Sequence, residues 1–331
     1  MTKPSVAIAI VSYRSAELTI RCLMSISAER RSAPFPIDVC VVDNASGDYP
    51  EVSRAIEQYG WTSWVTLIEA PRNGGFGYGN NIAIWHARRS SVPTYIYLLN
   101  PDTEVRPGTI SVLVEFLEGH PLVGIAGSGF ENSDGSDWPI AFRFPSLRSE
   151  FCHSLDIGFI SKLFKNSLVA RAMSKTAQPT DWVSGASMMV RSTVFDRIGG
   201  FDENYFLYFE ETDFSYRARQ VGIPTWYVPA GVVMHISGYS THVTSHTERK
   251  MRLPGYWFES RRRYFVLTKG MARAKFIDLV ALVTFPIGWI KRAILWQRHR
   301  AVPSFFGDLW HHSILRQANQ AVPAATTELH S

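Results

Sequence analysis

Short, nearly continuous runs of apolar residues recur along the first 130 residues of the chain. Four such runs cover residues 6–11, 39–42, 65–68 and 95–99. Apolar runs of this length are typical of strands that are covered on both faces of a sheet. Helical stretches separate them, and this alternation predicts a mostly parallel sheet with right-handed crossover connections. The first run therefore indicates a strand and not the apolar part of a secretory signal peptide.

The segment after the first run has the apolar spacing of a helix. Ser15 stands where an N-cap is expected. The predicted apolar side carries Leu18, Cys22, Leu23 and Ile26. The second half of the chain is less regular, because residues 131–180 are rich in Ser, Asp and Phe and predict loops and short helices. A short helix and a second helix over about 210–220 are expected further along.

Two aspartates follow buried strands of the predicted sheet. Asp43 ends the second run, and Asp102 comes shortly after the fourth. Ligands of open α/β sheets bind beyond the carboxyl ends of the strands, so we expect both side chains at one edge. Asp102 is placed to hold Mg²⁺ or Mn²⁺ against the phosphates of a diphosphate, and Asp43 to accept hydrogen bonds from a nucleobase. An aspartate at a strand end also serves as a turn residue or helix cap, which is the structural alternative.

A glycine-rich stretch, Asn73–Asn81, follows the third run. Its glycines at 75, 77 and 79 lack the spacing of a dinucleotide-binding or Walker A loop, which weakens an NAD-binding or ATPase interpretation. Glycine permits close approach of the backbone to a ligand. The alternative is a tight turn that opens a helix.

Three acidic residues cluster where the 210–220 helix begins. Glu210, Glu211 and Asp213 complement the dipole of that helix, and one of them could also act as a general base. Arg217, four residues after Asp213, is expected to pair with it. His235 follows an apolar run, a position more typical of a core histidine than of a ligand.

Composition and charge narrow the class of protein. Hydrophobic residues make up 46% of the 331 residues and charged residues 19%, as in ordinary globular domains. Three scattered cysteines argue against a disulfide framework. Residues 249–331 hold 14 Lys/Arg against 4 Asp/Glu, a net charge of +10 that points to an anionic membrane surface. Nucleic acid is not the expected partner, since the body lacks a basic stripe and no nucleic-acid-binding motif is present.

The basic tail contains an apolar segment over residues 276–296. Its apolar core, 279–290, is too short for a membrane-spanning helix, which needs about 20 residues, and Pro286 interrupts it. We expect an interfacial or re-entrant segment. The alternative is an amphipathic helix packed on the protein's own core.

Eight short motifs occur in an order that resembles glycosyltransferase family 2, whose members have the GT-A fold. Within it they resemble the rhamnosyltransferase-like branch of bacterial surface-polysaccharide biosynthesis. The motifs are Val11–Tyr13, Val41–Ser46, Asn73–Asn81, Leu99–Asp102, Trp182–Ala186, Ile198–Glu203, Tyr208–Asp213, and His235 with Ser237 and Gly238.

The resemblance covers roughly residues 5–265 and implies an α/β fold of GT-A type. The expected architecture is a Rossmann-like, mostly parallel sheet flanked by helices, with a C-terminal helical membrane-associating extension. The catalytic domain would occupy residues 1–265, with a nucleotide-binding half, 1–130, and an acceptor and catalytic half, 131–265. A basic amphipathic helical tail would occupy 266–331.

The resemblance also implies roles for individual residues. Asp43 would bind the base, and Asp102 would hold a divalent cation, Mg²⁺ or Mn²⁺, with His235 as a further metal ligand. Asn100 stands where the family motif has its first carboxylate, which predicts weaker metal binding. The other expected nucleotide-sugar contacts are Ser12, Asn73, Gly75, Asn81, Trp182, Ser184 and Gly185.

Glu211 stands at the position of the family's general base, with Glu210 as the second choice. The implied reaction is one displacement that inverts the anomeric carbon. A deoxythymidine-diphosphate donor such as dTDP-rhamnose is favoured over a UDP-sugar, and the acceptor is expected to be a saccharide or lipid-linked. The enzyme would be cytoplasmic and peripheral on the inner face of the membrane. Two other hypotheses stay open: a sugar nucleotidyltransferase, and a non-catalytic sugar-nucleotide-binding component of a polysaccharide assembly.

Overall fold

The computed structural model describes residues 3–155, 158–236, 251–295, 302–317 and 322–327. Ser237 and Gly238 of the last motif lie outside the described residues. The strands are β1 Val6–Ser12, β2 Ile37–Asp43, β3 Val65–Glu69, β4 Tyr95–Leu99, β5 Thr103–Val105, β6 Ile125–Asn132, β7 Ala141–Phe142, β8 Gln178–Thr180, β9 Trp182–Val183, β10 Ser187–Arg191 and β11 Thr225–His235. The helices are α1 Ala16–Ser32, α2 Tyr49–Gln58, α3 Phe76–Ser90, α4 Thr109–Gly119, α5 Leu147–Leu155, α6 Gly158–Leu163, α7 Ser192–Ile198, α8 Glu210–Gln220, α9 Gly255–Lys269, α10 Met271–Ile294 and α11 Phe305–His312.

Nine of the described strands form one mixed sheet. Its order is β3-β2-β1-β4-β10-β6-β11-β5, and β8 pairs with β11. Strands β1 to β4 are parallel, and β6 and β11 run in the same direction. The predicted mostly parallel sheet is therefore confirmed. The sequence pattern did not predict β10, which is inserted antiparallel between β4 and β6.

The apolar runs fill the interior of this sheet. All five residues of β4 are buried, and the predicted apolar side of α1 is buried at every position named above. The helix over 210–220 is confirmed as α8. Ser15 occupies the N-cap of α1 but makes no side-chain capping bond, because its hydroxyl lies 3.1 Å from that of Ser12. All three cysteines are free and buried.

Helix α9 packs on α10 and on the rest of the protein through buried ion pairs. Arg261 donates to Glu150 of α5 and, at 2.6 Å, to Asp278 of α10. Arg263 donates to Asp202 at 2.7 Å. Arg261 and Arg263, in the basic run of residues 261–263, are therefore buried in these pairs and do not face a membrane. The expected boundary between 265 and 266 falls inside α9.

The apolar tail segment is one helix, α10, with two different faces. One face packs on α5, where a Cβ on Gly288 would lie 2.4 Å from the Ser154 carbonyl oxygen. The opposite face exposes Phe276, Leu279, Val283, Ile287, Ile290 and Ile294. No helix in the described ranges has the length and hydrophobicity to cross a membrane.

Candidate active site

Asp43 lies at the carboxyl edge of the sheet, beside Ser12 in the register of β2 with β1. It is fully buried, and its Oδ1 accepts hydrogen bonds from the backbone N–H and the hydroxyl of Ser46. Its Oδ2 is buried with no hydrogen-bond partner among the described residues. A buried carboxylate oxygen without a donor is costly, so a ligand N–H at this position would be favoured. The Ser12 hydroxyl, by contrast, already contacts Ser15 and Thr19.

Asn44 joins this edge to the start of the glycine-rich stretch. Its amide donates to the Asn73 Oδ1 at 3.0 Å and to the Gly75 carbonyl at 3.1 Å. Its own oxygen accepts the Gly74 N–H. Asn73 is thereby fixed next to Asp43. The sequence analysis gave Asn44 no role, although it directly follows the aspartate.

The glycine-rich stretch packs closely against the loop that precedes α8. Gly75 has a φ of +89°, and a Cβ there would lie 1.7 Å from the carbonyl oxygen of Phe206. The buried Asn81 amide donates to the Phe201 carbonyl and to Glu203, both at 2.9 Å, and accepts the Phe201 N–H. These contacts give Gly75 and Asn81 structural roles. Their expected contacts with a nucleotide sugar stay predictions.

Asp102 and His235 meet where β5 pairs with the end of β11. The register places His235 opposite Thr103, and Nε2 of the imidazole lies 3.2 Å from Oδ2 of Asp102. His235 packs between the rings of Phe130 and Trp138. Its Nδ1 is buried with no hydrogen-bond partner in the described part of the chain. The predicted metal ligands are thus brought together, although the sequence alone favoured a core role for His235.

The two glutamates of α8 follow a strained turn. Tyr208 and Phe209 both have a φ of +70°, a conformation that non-glycine residues adopt rarely and at a cost of about 1–3 kcal/mol each. Helix α8 begins directly after them, so Glu210 and Glu211 are the first two residues of the helix. Neither residue is Gly or Asn, and the sequence therefore carries no sign of the turn.

Burial changes the acidity of both glutamates. It raises the pKa of Glu211 to about 7, while the backbone N–H groups of Glu211 and Gly185 lower it by less. Burial and then the neighbouring Glu211 carboxyl raise the pKa of Glu210 well above its usual value. Burial therefore raises the pKa of both neighbouring carboxyl groups, and Glu211, whose pKa is about 7, is the group poised to exchange a proton near neutral pH.

The turn between β9 and β10 connects Glu211 to the strand that precedes Asp102. Gly185 faces the Glu211 carboxyl, and the next residue, Ala186, accepts the Asn100 N–H at 3.1 Å. Ser184 accepts the Ala186 N–H. Trp182 stacks on Phe142 at 4.4 Å and donates its indole N–H to the Arg143 carbonyl. Asp213 pairs with Arg217 at 2.8 Å as predicted, which occupies its carboxylate and leaves the glutamates for chemistry.

Two bacterial rhamnosyltransferases are similar to this chain over about half to two thirds of its length. The chain is similar to an N-acetylglucosaminyl-diphospho-decaprenol L-rhamnosyltransferase of Mycobacterium tuberculosis, with 29% identity over 237 residues, 67% of this chain and 74% of the relative. It is also similar to the rhamnosyltransferase WbbL of Escherichia coli K12, with 30% identity over 167 residues, 49% of this chain and 60% of the relative.

Two solved structures show the same fold at low sequence identity. GalNAc-T7, solved with UDP, GalNAc and Mn²⁺, matches 96% of this chain and 57% of its own, with a TM-score of 0.55 and 14% identity. The Pyrobaculum calidifontis mannosyltransferase PcManGT, solved with GDP-Man and Mn²⁺, matches 89% of this chain and 76% of its own, with a TM-score of 0.52 and 15% identity. The expected GT-A fold is confirmed. A family model, Glycosyltransferase like family 2, matches residues 4–252, and the chain belongs to that family.

Proposed function

We propose that this protein is an inverting, metal-dependent glycosyltransferase that moves rhamnose from dTDP-rhamnose to a hydroxyl of a lipid-linked saccharide. The observation that best supports the proposal is that two acidic residues, Asp102 and Glu211, lie in different environments. Asp102 contacts His235 at the sheet edge, whereas Glu211 is enclosed at the start of α8 with a pKa near neutrality. One environment suits a diphosphate and its cation, and the other suits proton removal from an alcohol.

The side chains at the sheet edge fit a divalent cation. Carboxylate and imidazole are both ligands for Mn²⁺, and such a cation takes further oxygens from phosphates and water. No group of three or more potential ligands occurs among the residues described, so Asp102 and His235 would supply the protein's share. When bound, the cation would neutralise the charge of the departing diphosphate.

The donor's base and sugar would contact different elements. The unpartnered Oδ2 of Asp43 would accept an N–H of the nucleobase, and Asn73, held by Asn44, would line the same pocket. Ser12 lies beside Asp43 and completes this wall. Ser184 and Gly185, with the Trp182 ring, would form the floor for the sugar and the acceptor.

Glu211 would take the proton of the acceptor hydroxyl as that oxygen attacks the anomeric carbon. The Gly185 N–H, which faces the carboxyl, would orient it toward the floor of the site. Glu210, whose pKa is also raised by burial, would be the second candidate for this base. A single attack from the side opposite the diphosphate inverts the configuration. The name of the mycobacterial relative favours an acceptor with a sugar-diphosphate-lipid structure.

The exposed face of α10 supports a peripheral position on the inner face of the membrane. Its six apolar residues recur every three or four positions, and α11 adds Phe306 and Trp310, which are also exposed. A helix with one apolar face and basic ends binds at a lipid interface without spanning it.

Vesicle sedimentation tests the membrane position directly. The triple variant Val283→Ser, Ile287→Ser, Ile290→Ser should lose binding to vesicles that contain phosphatidylglycerol. Leu122→Ser, which changes a leucine at the α4–β6 turn that is even more exposed than these three residues, is the control and should bind as before. Equal binding of the triple variant and the control would refute the membrane face.

A thermal-shift panel of nucleoside diphosphates tests the donor. We expect dTDP with Mn²⁺ to raise the Tm more than UDP or GDP with Mn²⁺. Asp43→Asn should reduce this shift, since an amide cannot present two acceptor oxygens. A panel in which no nucleoside diphosphate stabilises the protein would overturn the donor assignment.

A further inference from the structure

A polar cavity, distinct from the candidate active site, lies at the far end of α8 from Glu211. Its volume is about 560 Å³, and its lining residues are Arg143, Arg171, Pro179, Thr180, Asp181, Arg219, Gly222, Ile223, Pro224 and Thr225. Eight residues of helix separate Glu211 from Arg219, about 12 Å at the usual rise per residue. The mechanism above uses none of the charged residues in this cavity.

The described lining of the cavity has three arginines and one acid. Asp181 pairs with Arg219 at 2.5 Å, and its second oxygen accepts the Phe144 N–H at 2.9 Å. Both oxygens of the only acid in this lining are therefore engaged. Among the described residues, the hydrogen-bond partners of the Arg143 and Arg171 guanidinium groups are backbone carbonyls, of Leu168 and Pro179. The two guanidinium groups thus share a cavity without a carboxylate of their own.

The charges in the cavity are incompletely compensated. The Arg171 Nε is buried and has no hydrogen-bond partner among the described residues. Burial, followed by the charge of Arg143, lowers the pKa of Arg171. Outside this lining, the Lys269 amine lies over the Tyr216 ring of α8, and its pKa is lowered by burial and by the charges of Arg219 and Arg273. An anion in the cavity would relieve this repulsion and satisfy the buried N–H.

The arginines are held in place before any ligand arrives. The guanidinium of Arg143 is held by the Leu168 carbonyl at 3.3 Å, and that of Arg171 by the Pro179 carbonyl at 3.0 Å. The Arg219 guanidinium packs over the Phe144 ring at 5.7 Å. Fixed guanidinium groups match phosphate oxygens through paired hydrogen bonds, and preorganisation reduces the entropy lost on binding.

We propose that the cavity of Arg143, Arg171 and Arg219 binds the phosphate or diphosphate group of a ligand other than the nucleotide sugar. Two sources share this chemistry: the diphosphate of a lipid-linked acceptor, and the headgroup of a membrane phospholipid. The first source rests on the proposed glycosyltransferase function, and the second does not.

Binding of radiolabelled inorganic pyrophosphate tests the cavity itself, with EDTA and excess dTDP present to suppress binding at the donor site. Arg171→Gln should weaken binding at least tenfold. Arg148→Gln, which removes an exposed arginine of α5, is the control and should bind like the parent protein. Asp181→Asn should bind pyrophosphate more tightly, because it removes the competing carboxylate charge, and it keeps an oxygen for the Phe144 N–H.

These pyrophosphate-binding measurements test the cavity without requiring catalytic turnover. No pyrophosphate binding by the parent protein, or equal binding by Arg171→Gln and Arg148→Gln with unchanged Tm values, would overturn the proposal. If Arg171→Gln unfolds, the Asp181→Asn variant provides the test instead. A failure of Asp181→Asn to bind pyrophosphate more tightly than the parent protein would then overturn the proposal.

Two further measurements distinguish the sources. A raised KM of Arg171→Gln for a short-chain sugar diphosphate acceptor, but not for the same sugar without diphosphate, would identify the acceptor. Reduced binding to phosphatidylglycerol vesicles with unchanged KM values would identify the phospholipid.

Discussion

Replacing Glu211 by Gln removes a carboxyl group whose ionisation the folded protein opposes. The pKa of an ordinary glutamate is 4.5, and burial raises that of Glu211 to about 7. The raised pKa means that the folded state holds the proton more tightly than the unfolded state. Its favourable contribution is complete below pH 4.5 and is lost as the pH rises through about 7. The parent protein should therefore lose stability toward alkaline pH, and Glu211→Gln should lose less.

The size of the effect follows from the pKa. At about 1.4 kcal/mol per pH unit, the displacement from 4.5 to about 7 corresponds to about 3 kcal/mol, as an upper estimate. Roughly 2 kcal/mol of this penalty accumulates between pH 5.5 and pH 8. Urea unfolding at these two pH values, followed by Trp fluorescence, would measure the difference between parent and variant.

The control is Glu51→Gln, which changes an exposed glutamate in the first turn of α2. Its difference from the parent protein should stay nearly constant with pH. The reasoning is refuted if Glu211→Gln and Glu51→Gln show the same pH dependence. The raised pKa of Glu211 also leads to a kinetic prediction. The value of kcat/KM should rise with pH through about 7, since the base must be ionised to accept a proton.

Three more changes test other parts of the structure. Asp102→Ala should abolish metal-dependent transfer while dTDP binding without metal persists, and Mn²⁺-dependent turnover at the parent rate would contradict the metal assignment. Gly288→Ala should destabilise the protein by about 1–3 kcal/mol, because the new Cβ would meet the α5 backbone. The control, Gly307→Ala, lies in open space on α11 and should stabilise the protein by up to about 1 kcal/mol. Calorimetry that finds equal effects of the two changes would contradict the packing of α10. Asp278→Ala should cost about 3–5 kcal/mol of stability, because buried Arg261 would keep only one carboxylate partner. Urea unfolding that shows no loss of stability would contradict the role of that ion pair.

Much of the sheet could be predicted because its determinants are local. The apolar runs that form β1 to β4 are uninterrupted, and the aspartates that follow β2 and β4 lie at the carboxyl edge for that reason alone. The position of β10 could not be predicted, because its partners come from strands far away in the sequence. Parallel and antiparallel insertion leave the same apolar pattern.

Only part of the candidate active site could be predicted from the sequence. The pairing of Asp102 with His235 depends on the register of β5 with β11, which no local pattern records. Gly75 and Asn81 suggested ligand contacts, yet both contact the loop before α8, more than a hundred residues away. The net positive charge of residues 249–331 suggested an anionic partner outside the protein, yet the partners of Arg261 in this range are Glu150 and Asp278 of the protein itself. Long-range pairing decides each of these cases.

The most direct measurement of the central claim follows radiolabelled rhamnose from dTDP-rhamnose to a lipid-linked N-acetylglucosaminyl diphosphate, with Mn²⁺ present. The account predicts labelled lipid and one dTDP per transfer, with inverted anomeric configuration in the product by NMR. Glu211→Gln should bind dTDP as the parent protein does and form no labelled lipid. Retained configuration, or transfer by Glu211→Gln at the parent rate, would contradict the account.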